Sequence, residues 1–159
     1  MAATPPEQIR SLVNQLYAAW SLHQPEKTDT IFTDDGIYED VAAGRMHRGK
    51  EQIKDFLRAA FAWSPDFRVT MKSLIIAHDA AATEWLSEGI QTGPIGELPA
   101  SGNSFQLRSA SILTLRNGKI ARVTDYYPGL FILQGKSTTP CRDQGMSLEE
   151  RRHRGEQFQ

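Results

Sequence analysis

The stretch FQLRSASILTLRNGKIARVTDYY, residues 105–127, contains two runs of alternating apolar and polar side chains around an Asn-Gly pair at 117–118. Asn-Gly between two such runs is the strongest short-range signal for a two-residue β-hairpin. We therefore predict two long antiparallel strands, one over 105–116 and the other over 119–127.

Asp125 is the unexpected residue of this hairpin. Side chains alternate along a strand, so Asp125 is predicted to share a face with Ala121, Val123 and Tyr127. Ala and Val on that face indicate that it is not the solvent side. A carboxyl among apolar neighbours has a raised pKa, which suits a general acid or base. The structural alternative is a buried Asp that is hydrogen-bonded to the backbone or to a Tyr hydroxyl.

Upstream of the hairpin, the pattern predicts two helices, a short strand and a third helix, and then two long strands. Helices are predicted at 5–23, at 25–32 and from Lys50 to just before Pro65. Strands are predicted at 37–41, 67–77 and 81–91, with a turn at 33–36, loops at 42–49 and 92–104, and a last helical turn at 129–135. Helices on one side of a curved antiparallel sheet define an α+β fold, shaped as a cone with an internal cavity.

Length and charge limit the function classes. The chain has 159 residues and a net charge of −1, which predicts one domain over 1–135 followed by a polar tail over 136–159. The chain has no excess of basic residues, so a nucleic-acid partner is not expected. No apolar run approaches the roughly 20 residues that span a membrane. One cysteine excludes an internal disulfide framework, and we expect a cytoplasmic protein.

Two segments carry a resemblance to a known family. IFTDDGIYEDVAAGRMHRGKEQIKDFLRAAF, residues 31–61, resembles the first half of the nuclear-transport-factor-like superfamily. Residues 96–135, from GELPASG through the GKI hairpin to the closing LQG, resemble the second half of its SnoaL-like polyketide cyclase branch. The resemblance spans about residues 7–135. It implies a homodimer that forms through the exposed face of the sheet.

The resemblance also implies roles for individual residues. The general acid/base Asp of the cyclases falls on Asp125, whereas their strand His falls on Ser111. In the ketosteroid isomerases, the general base falls on Asp40 and the oxyanion Tyr falls on Tyr17. Their second oxyanion donor, an Asp, has no counterpart near 110–111, which disfavours a standard steroid isomerase.

Each of these residues also has a structural interpretation. Tyr17 lies on the apolar stripe of the first helix, as a core Tyr or as a donor to a substrate oxygen. Asp40 is predicted to line the cavity or to cap the loop after it. His47 lies in GRMHRG, as a solvated loop His or as a second acid/base at the cavity mouth.

The remaining candidates concern ligand binding. Trp63 and Trp85 are core residues by default, and as cavity walls they would suit a flat, ring-containing ligand. Tyr127 shares the face of Asp125, and Ser111 suits a wall that leaves room for a ligand. Arg108 is predicted to face outward, with an inward-turned carboxylate or carbonyl anchor as the alternative.

The sequence favours a cofactor-free acid/base enzyme acting on a hydrophobic, carbonyl-containing molecule. Its four histidines are scattered with no ligand spacing, so no metal site is expected. The segment TGPIGELPASG lacks the Lys-Ser/Thr and the strand–turn–helix context of a phosphate loop, so no nucleotide cofactor is expected. One alternative uses Asp40 and Asp125 as a pair that activates water, as in epoxide hydrolysis or dehydration. The other is a non-catalytic small-molecule binding module.

Overall fold

The computed structural model describes residues 4–134. It begins with two helices, continues with two strands and a third helix, and ends with four strands and a short fourth helix. After the first helix comes a single 3₁₀ turn, Pro25–Lys27. The helices are α1 Pro6–Ser21, α2 Thr28–Ile31, α3 Gly49–Trp63 and α4 Leu130–Gln134. The strands are β1 Phe32–Asp40, β2 Arg45–Arg48, β3 Arg68–Ala77, β4 Ala80–Ile90, β5 Ser104–Arg116 and β6 Lys119–Tyr126.

The strands form one curved, unclosed sheet in the order β2-β1-β6-β5-β4-β3. All neighbouring strands are antiparallel except β1 and β6, which run parallel. The predicted α+β class is confirmed, and the sheet is mixed rather than purely antiparallel. The parallel pairing matters because it brings the carboxyl ends of β1 and β6 side by side.

The helices cover one face of the sheet, and the core lies between them. The apolar stripe predicted for α1 is buried against that face, with Ile9, Leu12, Val13, Leu16, Tyr17 and Trp20 inside. β4 and β5 show the matching two-residue period: in each, every second side chain is buried and the intervening ones are more exposed. This alternation fixes which side chains enter the core.

Two predicted local structures are corrected. The turn predicted at 33–36 belongs to β1, whose pairing with β6 shifts register between Phe32 and Ile37. The irregularity explains why this stretch has the composition of a turn. The loop predicted at 42–49 contains β2, which pairs with the end of β1.

The predicted tail at 136–159 lies outside the described residues. Between Thr4 and Gln134, no helix is long and apolar enough to cross a membrane.

Candidate active site

A row of polar side chains crosses four neighbouring strands on the helix-covered face. Asp40 of β1 is in register with Asp125 of β6. Asp125 pairs in turn with Ser111 of β5, and Ser111 pairs with Thr83 of β4. All four are buried. Because buried polar groups require partners, the hydrogen bonds of this row define the chemistry of the site.

Asp125 accepts two hydrogen bonds from hydroxyl groups. Ser111 Oγ donates to Oδ1 at 2.5 Å, and the Tyr38 hydroxyl donates to Oδ2 at 2.5 Å. Asp125 is only 5% exposed. Burial raises the pKa of Asp125 to about 7 although both donors act to lower it, and the nearby charge of Asp40 adds to the rise. A carboxyl with such a pKa exchanges a proton readily near neutral pH.

Ser111 is the junction of the network. Its Oγ accepts from Trp85 Nε1 at 2.7 Å and from the Tyr17 hydroxyl at 3.3 Å, while it donates to Asp125. The Tyr17 hydroxyl also shares a very short hydrogen bond with the Thr83 hydroxyl, in which either oxygen can be the donor. Tyr17 is therefore a core residue, and its hydroxyl is bonded within the protein.

Asp40 is buried and caps the following turn, whereas its place in a cavity wall stays a prediction. The Tyr127 hydroxyl donates to Oδ2 at 2.9 Å, and the Ala43 backbone N–H donates to Oδ1 at 3.0 Å. Burial, followed by the charge of Asp40, raises the pKa of Tyr127 far above its usual value. Tyr127 therefore keeps its hydrogen and contributes a neutral donor beside the two carboxyls.

His47 is not a solvated loop residue. It lies in β2 opposite Tyr38, and its ring stacks on Phe56 with centroids 4.4 Å apart and planes 18° apart. Its Nε2 is buried and has no hydrogen-bond partner within residues 4–134. Burial lowers the pKa of His47, with Asp40 opposing the change, so the ring is neutral near pH 7.

The predicted ligand-contacting residues fall in three places. Trp85 joins the polar network through its indole N–H. Trp63 packs against Phe105 with centroids 5.4 Å apart, and no hydrogen bond among residues 4–134 joins its side chain to the network. Arg108 lies on the opposite, exposed face of the sheet and pairs with Glu84 at 3.3 Å. The alternative of Arg108 as an inward anchor is therefore wrong, because its strand position points it outward.

A groove of about 450 Å³ opens at the corner of the sheet where β3 begins and β4 ends. It is lined by Asp66, Arg68, Glu88, Gly89, Ile90, Ser104, Phe105 and Gln106. None of these residues belongs to the polar row, so this groove and the buried network are separate features.

Sequence reasoning missed two members of the network, Tyr38 and Thr83. Tyr38 lies two residues before Asp40, and Thr83 lies two residues before Trp85, so alternation alone places each on the face of a residue that was singled out. Their partners, however, come from other strands. That information depends on strand order, which the sequence does not state.

The sequence matches the family profile described as SnoaL-like polyketide cyclase over residues 10–134. A search of curated proteins finds no significant match.

Solved structures with the same fold are numerous. A candidate SnoaL-like polyketide cyclase from Jannaschia sp. CCS1 superposes with a TM-score of 0.75 at 19% identity, covering 88% of this chain and 100% of that one. TsrD from Streptomyces laurentii gives 0.73 at 23% identity, covering 82% and 96%. A protein of ketosteroid isomerase-like fold from Catenulispora acidiphila DSM 44928, solved in complex with trimethylamine, gives 0.66 at 28% identity, covering 78% and 86%.

Proposed function

The chain belongs to the SnoaL-like polyketide cyclase family, and from this premise we propose that it is a cofactor-free general acid/base enzyme. Its substrate would be a hydrophobic, carbonyl-containing small molecule of polyketide-like or steroid-like type. The reaction would be an aldol ring closure or an isomerisation through an enolate. The observation that carries the proposal is the Asp125 carboxyl, buried between two hydroxyls with its pKa raised to about 7.

The proposed role of Asp125 is to move a proton at the carbon next to the carbonyl. A pKa of about 7 leaves both the acid and the carboxylate well populated at neutral pH. The carboxylate removes the proton to give the enolate, and the acid returns it after ring closure or double-bond migration. Ser111 and Tyr38 occupy one lone pair on each oxygen, so further lone pairs remain for the substrate C–H.

The enolate oxygen and the second proton transfer need other groups. His47 is a better candidate than Tyr17 for both roles, because its ring is neutral and its Nε2 has no hydrogen-bond partner in the described part of the chain. Asp40 and Tyr127 form a hydrogen-bonded pair beside Asp125 that can orient the carbonyl end of the substrate. Tyr17 is less suited to bind the enolate, since its hydroxyl is already bonded to Thr83.

Water chemistry is the second candidate, favoured by the register of Asp40 and Asp125. Directly neighbouring strands lie about 4.8 Å apart, so two carboxyls in register can share one water molecule. An epoxide hydrolase or a dehydratase would use such a pair. Loss of Asp40 would then reduce turnover as severely as loss of Asp125, whereas the enolate mechanism predicts a smaller effect at Asp40.

The third candidate is a non-catalytic binding module, favoured by the internal satisfaction of both Asp125 oxygens. A binder would need the polar row only for structure. We also propose that the chain forms a homodimer through the exposed sheet face, where Ile75, Ile112 and Tyr126 are 68%, 45% and 50% exposed.

Proton exchange at the α-carbon tests the enolate mechanism before any substrate is identified. β-Dicarbonyl compounds and polyketide-like esters are incubated with the protein in D₂O, and NMR follows the loss of the α-proton signal. We expect Asp125→Asn to slow this exchange by about 10²–10⁴-fold, since a positioned acid/base contributes that much. Asp55→Asn removes an exposed carboxyl on α3 and is the matched control.

Two outcomes of this assay contradict the proposal. Full exchange in Asp125→Asn would show that another group carries the proton. No accelerated exchange across the panel, combined with binding of the same compounds, would favour the binding module.

A further inference from the structure

The two hydrogen bonds to Asp125 differ in their freedom to reverse. On the Oδ2 side, the donor is the Tyr38 hydroxyl, and no further hydroxyl among residues 4–134 is hydrogen-bonded to it. If this bond reversed, the Tyr38 hydrogen would have no hydroxyl acceptor to turn to. The bond on this side is therefore not part of a chain that can reverse.

The Oδ1 side is different because Ser111 has two ways to use its hydroxyl. Trp85 Nε1 donates to Ser111 Oγ and occupies one lone pair permanently. One hydrogen and one lone pair remain for the two other partners, Asp125 and Tyr17. Ser111 can donate to Asp125 and accept from Tyr17, or accept from Asp125 and donate to Tyr17.

The same choice continues one step further. The Tyr17 hydroxyl lies between Ser111 and Thr83, and the short bond between Tyr17 and Thr83 can have either oxygen as its donor. When Asp125 is ionised, Thr83 donates to Tyr17, Tyr17 donates to Ser111, and Ser111 donates to the carboxylate. When Asp125 is protonated, each bond is reversed: the carboxyl donates to Ser111, Ser111 to Tyr17, and Tyr17 to Thr83. Both arrangements pair the same oxygens without movement of any heavy atom.

We propose that Thr83, Tyr17 and Ser111 form a hydroxyl chain whose donor direction reverses each time the adjacent carboxyl gains or loses a proton. Thr83 does not touch Asp125, so it acts as a positioning residue. The catalytic significance of the chain rests on the proposed function, because a general acid/base must be accommodated in both protonation states. A chain fixed in one direction would leave a buried polar group without a hydrogen-bond partner in one of the two protonation states, and an unpaired buried group raises the free energy of that state.

The other titratable groups near Asp125 do not replace this chain. They are Tyr17 of α1, Tyr38 and Asp40 of β1, Tyr127 after β6, and His47 of β2, which lies opposite Tyr38 and feels the charge of Asp40. Burial raises the pKa of each of the three tyrosines far above the usual value. Their hydroxyls therefore keep their hydrogens over the range in which Asp125 titrates.

Removing the far end of the chain tests the proposal. In Thr83→Val, the ionised carboxylate keeps its donors, but the acid form leaves the Tyr17 hydrogen with no acceptor. We expect the pKa of Asp125, measured from its carboxyl ¹³C signal, to fall by about half a unit to one unit, the equivalent of one hydrogen bond. Thr83→Ser keeps a hydroxyl and should therefore show the same Asp125 titration midpoint as the wild-type protein.

The control is Thr28→Val, which changes another buried threonine whose hydroxyl has no partner among residues 4–134. It should leave the Asp125 midpoint unchanged. An unchanged or raised midpoint in Thr83→Val overturns the proposal, because the Thr83 hydroxyl would then not be needed by the acid form.

A double variant distinguishes a chain from independent contacts. Tyr17→Phe should lower the midpoint, and adding Thr83→Val to it should produce no further change, because the chain is already broken at Tyr17. Additive shifts would contradict the proposal. The titration requires no substrate, so a reversing chain in a protein without enolate chemistry would overturn the proposed function and leave this inference standing.

Discussion

At the scale of single residues, the main feature is a carboxyl whose charge is disfavoured by its surroundings. Strand alternation predicts the buried face of Asp125, and the structure places it there. Its hydrogen-bond donors were only partly predictable. The sequence predicts Ser111 as a wall residue, but it does not indicate that Ser111 donates to Asp125. Tyr38 was not identified, because the sequence does not state which strands become neighbours.

The titration of Asp125 predicts a pH-dependent stability difference between the wild-type protein and Asp125→Asn. The pKa of this carboxyl rises from 3.8 to about 7 on folding. The folded state therefore holds a proton that the unfolded chain releases between these values. The stability contributed by Asp125 is fully present below about pH 4 and is lost as the pH rises through 7.

Asn does not titrate, so the stability of Asp125→Asn relative to wild type should increase from pH 4 to pH 7. The increase should be on the order of a few kcal/mol and should level off above pH 7. Urea unfolding of both proteins at several pH values measures it. A difference that stays constant over this range would mean that Asp125 is ionised at the same pH in both states.

At the scale of elements, the site depends on a pairing that local sequence signals do not encode. The hairpin of β5 and β6 follows from its Asn-Gly turn, and it places Ser111 beside Asp125. The parallel contact between β1 and β6 is what brings in Asp40 and Tyr38. It joins segments more than 80 residues apart in the sequence, so it could be inferred only from the family resemblance.

The long loop between β4 and β5 is held by the end of α3, and one glycine allows this contact. The backbone N–H groups of Thr92 and Gly93 both donate to the Trp63 carbonyl at 3.0 Å. A Cβ at Gly93 would lie 2.3 Å from the Ala62 carbonyl oxygen and 2.8 Å from the Trp63 Cα. Both obstacles are backbone atoms, which cannot move aside as a flexible side chain would.

We therefore expect Gly93→Ala to destabilise the fold by about 1–3 kcal/mol, in the range of overpacked sites. Chemical denaturation measures the change, and Ala100→Ser in the same exposed loop is the control. Wild-type stability in Gly93→Ala would contradict the close approach of Gly93 to the backbone of Ala62 and Trp63.

At the scale of the whole molecule, the fold class was predictable because periodicity distinguishes the helical segments from the strands. The interior was less predictable. The sequence predicts a carboxyl among apolar neighbours in a fold with an internal cavity, whereas the structure shows a connected hydrogen-bond network around Asp125. Propensity and alternation specify which side chains face inward, but they do not specify which hydroxyls meet once the sheet has curved. The network arises from the curvature and from the packing of α1.

The most direct test of the central claim is the pKa of the Asp125 carboxyl, measured from its ¹³C chemical shift between pH 3 and 9. Asp125→Asn assigns the signal. A midpoint near 7 is predicted, with the free protein and no ligand. A midpoint at or below about 4, the value of a solvated aspartate, would contradict the account and leave Asp125 as a structural hydrogen-bond acceptor.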